Sequence, residues 1–297
     1  MATSSISEIV LALLFPWKFM SISLSYLPGT IISALRAGQF RTLLSWPRLQ
    51  AAWFSRFWSW AGPQVRTGAE QIVRPLLEGR VSRGAIVPPT SSPSVGAHLG
   101  VAGTVLEIGP GSGMWVSIFS DRYQQSKTST PDTKGVRGKV TRVYGVEPNE
   151  GVHHLLREQI AAADLQDVYE VVPVGIEDLA SSGHVAPESV DCIVSVLCLC
   201  SIPEPERNIA MLYGYLKPGG RWYVYEHVKH DRSTSTMGFY QAFVNLIWPH
   251  FIGGCELRRD TGKWLREAGT WSEIDLEHPE GEPWFATIPH VVGVLTK

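Results

Sequence analysis

The chain has 297 residues, more than the ~150 usual for one compact domain yet within reach of a single α/β unit with additions. Lys+Arg 26 against Asp+Glu 28 leaves a formal net charge of -2, so no global basic field exists to hold nucleic-acid phosphates, and no nucleic-acid partner is expected. Four Cys, three of them crowded at Cys192, Cys198 and Cys200, lack the dispersed pattern of a secreted disulfide scaffold, which favours a reducing compartment.

The apolar excess lies at the front. From Ile9 to Leu35 the only charged residue is Lys18, and Pro16, Pro28 and Gly29 interrupt the run. A spanning helix needs ~20 mostly apolar residues, but a mid-segment Lys is costly unless it snorkels, so spanning, re-entrant and interfacial insertion all stay open. Residues 1–60 carry five bases (Lys18, Arg36, Arg41, Arg48, Arg56) and one acid (Glu8), a balance of 5 - 1 = +4. They also hold Trp17, Trp46, Trp53, Trp58 and Trp60, and indoles favour the headgroup level. Residues 1–80 are therefore expected to associate with a membrane, with the four Arg keeping the remainder cytosolic. The alternatives are helices packed on a core, or a signal peptide, which the absence of an early Lys or Arg and of a clear cleavage site disfavours.

Residues 81–100, dense in Pro, Ser and Gly, predict a linker, and a domain is expected over 101–297. The first strand is Thr104–Ile108. Gly109, Gly111 and Gly113 then turn the chain into a helix expected from Met114 to about Tyr123. Glycines there let the backbone bend sharply and approach a ligand closely. The third glycine comes one residue too early for a dinucleotide fingerprint. After a polar insertion, Gln124–Lys139, the second strand Thr141–Val146 ends in Glu147, whose carboxylate can accept both ribose hydroxyls of NAD or of another nucleoside.

The third strand, Val168–Val174, precedes Gly175, Ile176 and Glu177, a loop expected against a purine ring. The fourth, Val190–Leu197, is nearly all apolar, as a central parallel strand should be, and carries Ser195. A helix over Pro205–Leu216, a Lys217–Gly220 turn and a fifth strand, Arg221–His227, follow. The alternation predicts a doubly wound α/β sheet with ligand at the carboxyl strand ends. Trp271–His278 and His290–Lys297 are two further strands, an ending unlike a dehydrogenase.

Taken together, Glu107-x-Gly109-x-Gly111-x-Gly113, the strand-end Glu147, Gly175 to Leu179, and Leu216 to Gly220 resemble the class I S-adenosylmethionine-dependent methyltransferases. The resemblance covers about Val101 to Lys297. It implies a Rossmann-like seven-stranded sheet of order 3-2-1-4-5-7-6 with strand seven antiparallel, behind an apolar N-terminal helical extension. A closer match is to the membrane-associated methyltransferase-like thiol methyltransferases and their fungal relatives, on Leu106–Gly109, Glu147-Pro148-Asn149, Ser189-Val190-Asp191, Leu197–Ser201, Pro218–Gly220, Glu226–Val228, Gly254-Cys255 and Pro289–Gly293. Glu147 stands where that motif usually has Asp, and Gly175 where many class I enzymes put an Asp.

The resemblance implies S-adenosylmethionine as cofactor, held by Glu107, Gly109, Gly111, Gly113, Glu147, Ile176, Glu177 and Ser195. It also implies a small lipophilic thiol or hydroxyl acceptor, in fungal secondary metabolism or detoxification, and an endoplasmic-reticulum or similar membrane. A lipid or quinone C/O-methyltransferase and a non-catalytic binding module of the same fold are the alternatives.

Methyl transfer from a sulfonium is an in-line displacement that requires no metal. His227 is the expected base, with His230, Glu226 and His250 behind it. Cys192, Cys198 and Cys200 share one face of an extended strand and are read as core thiols, with no metal-ligand set in view. Met237–Ile252, bearing Phe239, Tyr240, Phe243, Trp248 and Phe251, is expected either to roof the acceptor pocket or to pack as an ordinary apolar helix stripe.

Overall fold

The computed structural model describes residues 5–88, 98–120, 138–230 and 236–297. Two long helices open it, α1 (Ile6–Arg36) and α3 (Trp46–Leu77), joined through the short α2 (Phe40–Leu43). Ser5 caps α1 in a capping box with Glu8, which satisfies two backbone donors. Pro16 and Pro28 lie inside α1 without ending it. Pro16 cannot donate to the Ala12 carbonyl four residues back, and the Thr287 hydroxyl donates to that oxygen instead, at 3.1 Å.

A hairpin of β1 (Val81–Ser82) and β2 (Ala85–Ile86) occupies part of the expected linker, whose residues 89–97 lie outside the described residues. The main sheet comprises β3 (Gly103–Ile108), β4 (Val140–Val146), β5 (Tyr169–Val172), β6 (Val190–Val196), β7 (Leu216–His227), β8 (Glu273–Glu277) and β9 (His290–Thr296). Its order is β5-β4-β3-β6-β7-β9-β8, with β9 antiparallel to both neighbours. Counted from β3 as strand one, that is the expected 3-2-1-4-5-7-6.

Period-two alternation makes the sheet two-faced. Val105, Val143, Cys192, Val194 and Tyr223 point to one side, where they meet Val73, Leu76 and Leu77 of α3 and Leu156 and Ile160 of α4 (His153–Ala162). Leu106, Ile108, Val146, Ile193 and Val224 point to the other. There they are covered by Leu179 of α5 (Leu179–Ser182), Ile209 and Leu212 of α6 (Pro205–Tyr213) and Leu265, whose helix α9 (Thr261–Glu267) follows α7 (Thr236–Asn245) and α8 (Trp248–Phe251). The core thus reaches back across residue 101 into α3. A third apolar cluster joins Met20, Phe57 and Ala61 of the N-terminal helices to Val244, Trp248, Ile252 and Leu257.

Three local expectations are corrected. Met114–Tyr123 gives only a 3-10 turn at Val116–Phe119, because the β-branched and aromatic side chains of that run are weak helix formers; residues beyond 120, including most of the Gln124–Lys139 insertion, lie outside the described residues. The Lys217–Gly220 turn is absorbed into the start of β7 as a register shift, Leu216 opposing Val190 and Arg221 opposing Cys192, with Gly219 at φ +76. The three cysteines do not share one strand face. β6 ends at Val196 and Leu197 adopts φ +55, which breaks the alternation before Cys198 and Cys200.

Candidate active site

The carboxyl ends of β3, β4, β6 and β7 open into one cavity of about 730 Å³. Its floor is Gly109 and Gly111 after β3, Glu147 after β4, Ile176 after β5, and Leu197, Cys198 and Cys200 to Pro203 after β6. Its walls come from the N-terminal helices. Ala12, Phe15 and Phe19 of α1, and Gln50, Ala51, Phe54 and Trp58 of α3, recur at the three- and four-residue spacing of one helix face. Phe54 and Trp58 stack at 5.1 Å between ring centroids, and the Trp58 indole lies over Gly111.

Gly109 and Gly111 have φ of +61 and +57, a region L side chains rarely enter. A Cβ on Gly109 would stand 2.7 Å from the Cys198 Cβ. The buried Glu147 carboxylate accepts the Gly111 N–H at 2.9 Å and the Asn149 N–H at 2.8 Å, which binds the glycine turn to the β4 end. Burial raises its pKa, against those two hydrogen bonds and His153. Asn149 in turn donates to Ser55 Oγ of α3 at 2.8 Å, so the helical wall is fastened to the same loop.

Gly109, Gly111, Glu147, Ile176, Glu177 and His227 are brought to the cavity, with Glu177 exposed at its mouth. Glu107, Gly113 and Ser195 stand behind it. Gly113, at φ +83, is pressed against Gln159 and Leu156 of α4. Ser195 is fully buried and accepts the Trp222 Nε1–H at 2.9 Å. Glu107 accepts the Tyr169 hydroxyl at 2.5 Å, reaching across β4 at Gly145, where a Cβ would collide with the phenol oxygen.

Glu107 has a pKa raised to about 7, by burial first, opposed by the Tyr169 hydrogen bond and reinforced by Glu147. The folded state therefore holds more protons than the unfolded one between pH 4.5 and about 7, and stability falls as pH rises through that window. Glu107→Gln removes the charge and keeps an acceptor for Tyr169. Thermal unfolding of the variant is expected to gain about 2–3 kcal/mol over the parent at pH 8 and little at pH 5; an equal gain at both pH values would refute the assignment.

One corner of the cavity is polar. His227 ends β7 and puts Nε2 3.1 Å from Cys255 Sγ, while Cys200 Sγ completes a group whose ligand atoms all lie within 4.8 Å of one another. Trp248 Nε1–H donates to Cys255 Sγ at 3.1 Å, and Ser201 Oγ lies 3.4 Å from Cys200 Sγ. The His227 Nδ1 is buried with no hydrogen-bond partner among the described residues. Hydrogen bonding from Cys255, over the opposing effect of burial and with help from His227, holds Cys200 well below the ordinary thiol range. Beside it the Glu226 carboxylate accepts the backbone N–H groups of Cys198 and Leu199 at 3.1 and 3.2 Å, and burial pushes its pKa up to about 8.

Of the other candidate bases, Glu226 holds that loop, His230 Nε2 lies 3.2 Å from the Trp284 carbonyl, and the His250 ring packs near Trp46; none of the three lines the cavity. Of the expected aromatic roof from Met237–Ile252 only Trp248 lines the cavity, with the aliphatic Ile252 beside it. Phe239 and Phe243 are exposed, Tyr240 accepts the Trp17 Nε1–H, and Phe251 packs on Trp53. The remaining aromatic surface comes from α1 and α3, where the spacings 12-15-19 and 47-50-51-54-58 were the available signal.

A family model described as a methyltransferase domain matches residues 87–272. Over 158 residues the chain is 33% identical to thiol S-methyltransferase TMT1A of Homo sapiens and 30% identical to thiol S-methyltransferase TMT1B of Rattus norvegicus. Each match covers 52% of this chain and 62% of the relative, less than two thirds of the relatives' length. Among solved structures, an O-methyltransferase family protein from Burkholderia thailandensis is similar with a TM-score of 0.55 and 14% identity, over 94% of this chain and 72% of that one, a likeness of fold.

Proposed function

The chain belongs to the methyltransferase-domain family, in its class I S-adenosylmethionine-dependent form, and from that premise we propose that it methylates the thiol of a small lipophilic molecule at a membrane surface. The observation that carries the reading is a single cavity with two characters: glycine turns and a carboxylate at the strand tips, and an apolar helical wall with one polar corner.

The donor fits the first part. Gly109 and Gly111 leave the close approach that a Cβ would fill, Glu147 is the carboxylate for the ribose hydroxyls, and Ile176 and Glu177 flank the adenine position. Glu107, Gly113 and Ser195 support this set from behind, as positioning residues. S-adenosylmethionine, when bound, supplies an electrophilic methyl group on a sulfonium. The chain's own contribution is to align the acceptor, exclude water with Phe15, Phe19, Phe54 and Trp58, and ease the proton from the acceptor at the His227 corner. A thiol is the acceptor best served there, since it ionises near pH 8.5 whereas an aliphatic alcohol needs a far stronger base. The thiol methyltransferase relatives support the same choice. Full-length protein incubated with labelled methyl donor and matched thiol and phenol panels is expected to label the thiols; labelling of phenols alone would sink the thiol reading.

The membrane reading rests on α1, long and apolar enough to cross a bilayer, with only 17% of its apolar window buried. Its ties to the body run along its length: the Ala12 carbonyl to Thr287, Trp17 to Tyr240, Ser23 to the Phe251 carbonyl, Ser33 to Arg56. A bilayer-spanning helix would have to shed them, so α1 lies in the interface, its free face continuous with Phe239 and Phe243 of α7. Those two side chains and Leu246 are 66%, 58% and 71% exposed. Changing all three to Ser is expected to reduce flotation with phosphatidylcholine–phosphatidylserine vesicles about tenfold, without altering the circular dichroism spectrum. Unchanged flotation would place the membrane contact elsewhere.

A further inference from the structure

We propose that Cys200, His227 and Cys255 form a Zn²⁺ site whose fourth position opens into the acceptor cavity. The three come from separate places in the chain, and the fold gathers them. β6 and β7 are adjacent parallel strands, so the loop after β6 and the last residue of β7 meet at the carboxyl end of the sheet. Cys255 follows α8, which packs against α1 and α3 over that end.

The geometry fits a tetrahedral centre. Zn–S near 2.3 Å and Zn–N near 2.0–2.1 Å imply ligand separations of about 3.5 Å for N to S and about 3.8 Å for S to S. Here Nε2 of His227 is 3.1 Å from Cys255 Sγ and no ligand atom is more than 4.8 Å from another, so changes in separation of up to about 1 Å close the set. Two thiolates and a neutral imidazole balance the charge of the ion, which lets a buried site stay net neutral. Soft sulfur with imidazole favours zinc over magnesium or calcium. The thiols have outer partners of the kind that support metal-bound sulfur: the Trp248 indole N–H on Cys255 and the Ser201 hydroxyl on Cys200. All three ligand residues are buried yet line the cavity, so the vacant position of a three-ligand site faces the place assigned to the acceptor.

This inference deepens the thiol reading and rests on it for its chemistry. An acceptor thiol would displace a neutral water from the fourth position and bind as a thiolate, its proton passing to that departing water and out to solvent, so that the added negative charge is offset by the donor's sulfonium. The acceptor's sulfur lone pair then forms the new S–CH₃ bond as the CH₃–sulfonium bond breaks. The neutral thioether product, a weaker ligand than a thiolate, departs.

The test uses tag-free full-length protein in detergent, freed of metal by a chelator and titrated with Co²⁺ alone. Binding of about one equivalent is expected, with thiolate-to-cobalt charge-transfer absorption and the visible bands of a tetrahedral site, lost on adding Zn²⁺. Cys255→Ser and His227→Gln are each expected to weaken Co²⁺ binding by roughly 100-fold, and Cys192→Ser, in the sheet core away from the corner, to leave it unchanged. No cobalt binding by the parent protein, or binding without the charge-transfer band, overturns the proposal whether or not the variants fold. Calorimetry of the metal-free protein with S-adenosylmethionine separates the two readings: donor binding without the cobalt signature removes the zinc site alone, and absence of donor binding removes the methyltransferase reading.

Discussion

Replacing Glu147 by Ala is expected to weaken S-adenosylmethionine binding about 10- to 100-fold, the loss of roughly 1–3 kcal/mol of charged hydrogen bonding to the ribose. The effect has two sources. The carboxylate that would grip the sugar now accepts the N–H groups of Gly111 and Asn149, so its removal also loosens the glycine turn from the β4 end. Glu147→Asp keeps the charge and shortens the reach by one methylene, so it should recover most of the affinity. Calorimetry on the three proteins decides the matter; equal affinity in the Ala variant would mean that the donor does not lie over β4.

Gly109→Ala should damage the fold and the donor site together. Gly109 sits at φ +61, which costs a non-glycine residue roughly 1–2 kcal/mol. The new Cβ would also meet the Cys198 Cβ at 2.7 Å, and neither atom is the movable end of a long side chain. A loss of about 3 kcal/mol is expected, seen as a fall in Tm of about 5 °C, together with loss of donor binding. Gly183→Ala, also at positive φ but with open space around it, carries the backbone cost alone and should fall less than half as far. Equal falls would show that contact with Cys198 does not matter.

The β3 glycine turn, the carboxylate ending β4 and the apolar β6 could be read from the chain because each is local, whereas the strand order was implied by the resemblance to a known family. A turn needs its glycines in sequence, a parallel strand buried on both faces needs a continuous apolar run, and right-handed crossovers restrict how such strands can be joined. Those same residues, Gly109, Gly111, Glu147, Ile176, Glu177 and His227, reach one cavity. What local pattern could not convey was direction across the sheet. Glu107 turns toward Tyr169 because Gly145, between them on β4, leaves the passage open. Leu197 at positive φ ends the alternation that would have kept Cys198 and Cys200 beside Cys192.

The amino-acid order by itself determined the class of fold, the donor-side turns and the apolar character of the front segment, since these follow from periodicity and backbone freedom over a few neighbouring residues. Only tertiary packing decided that this front segment walls the cavity and that Cys200, His227 and Cys255 converge. Those outcomes depend on how helices α1 and α3 seat against α8 and the ends of β6 and β7, a matter of long-range apolar burial that no short stretch of sequence encodes.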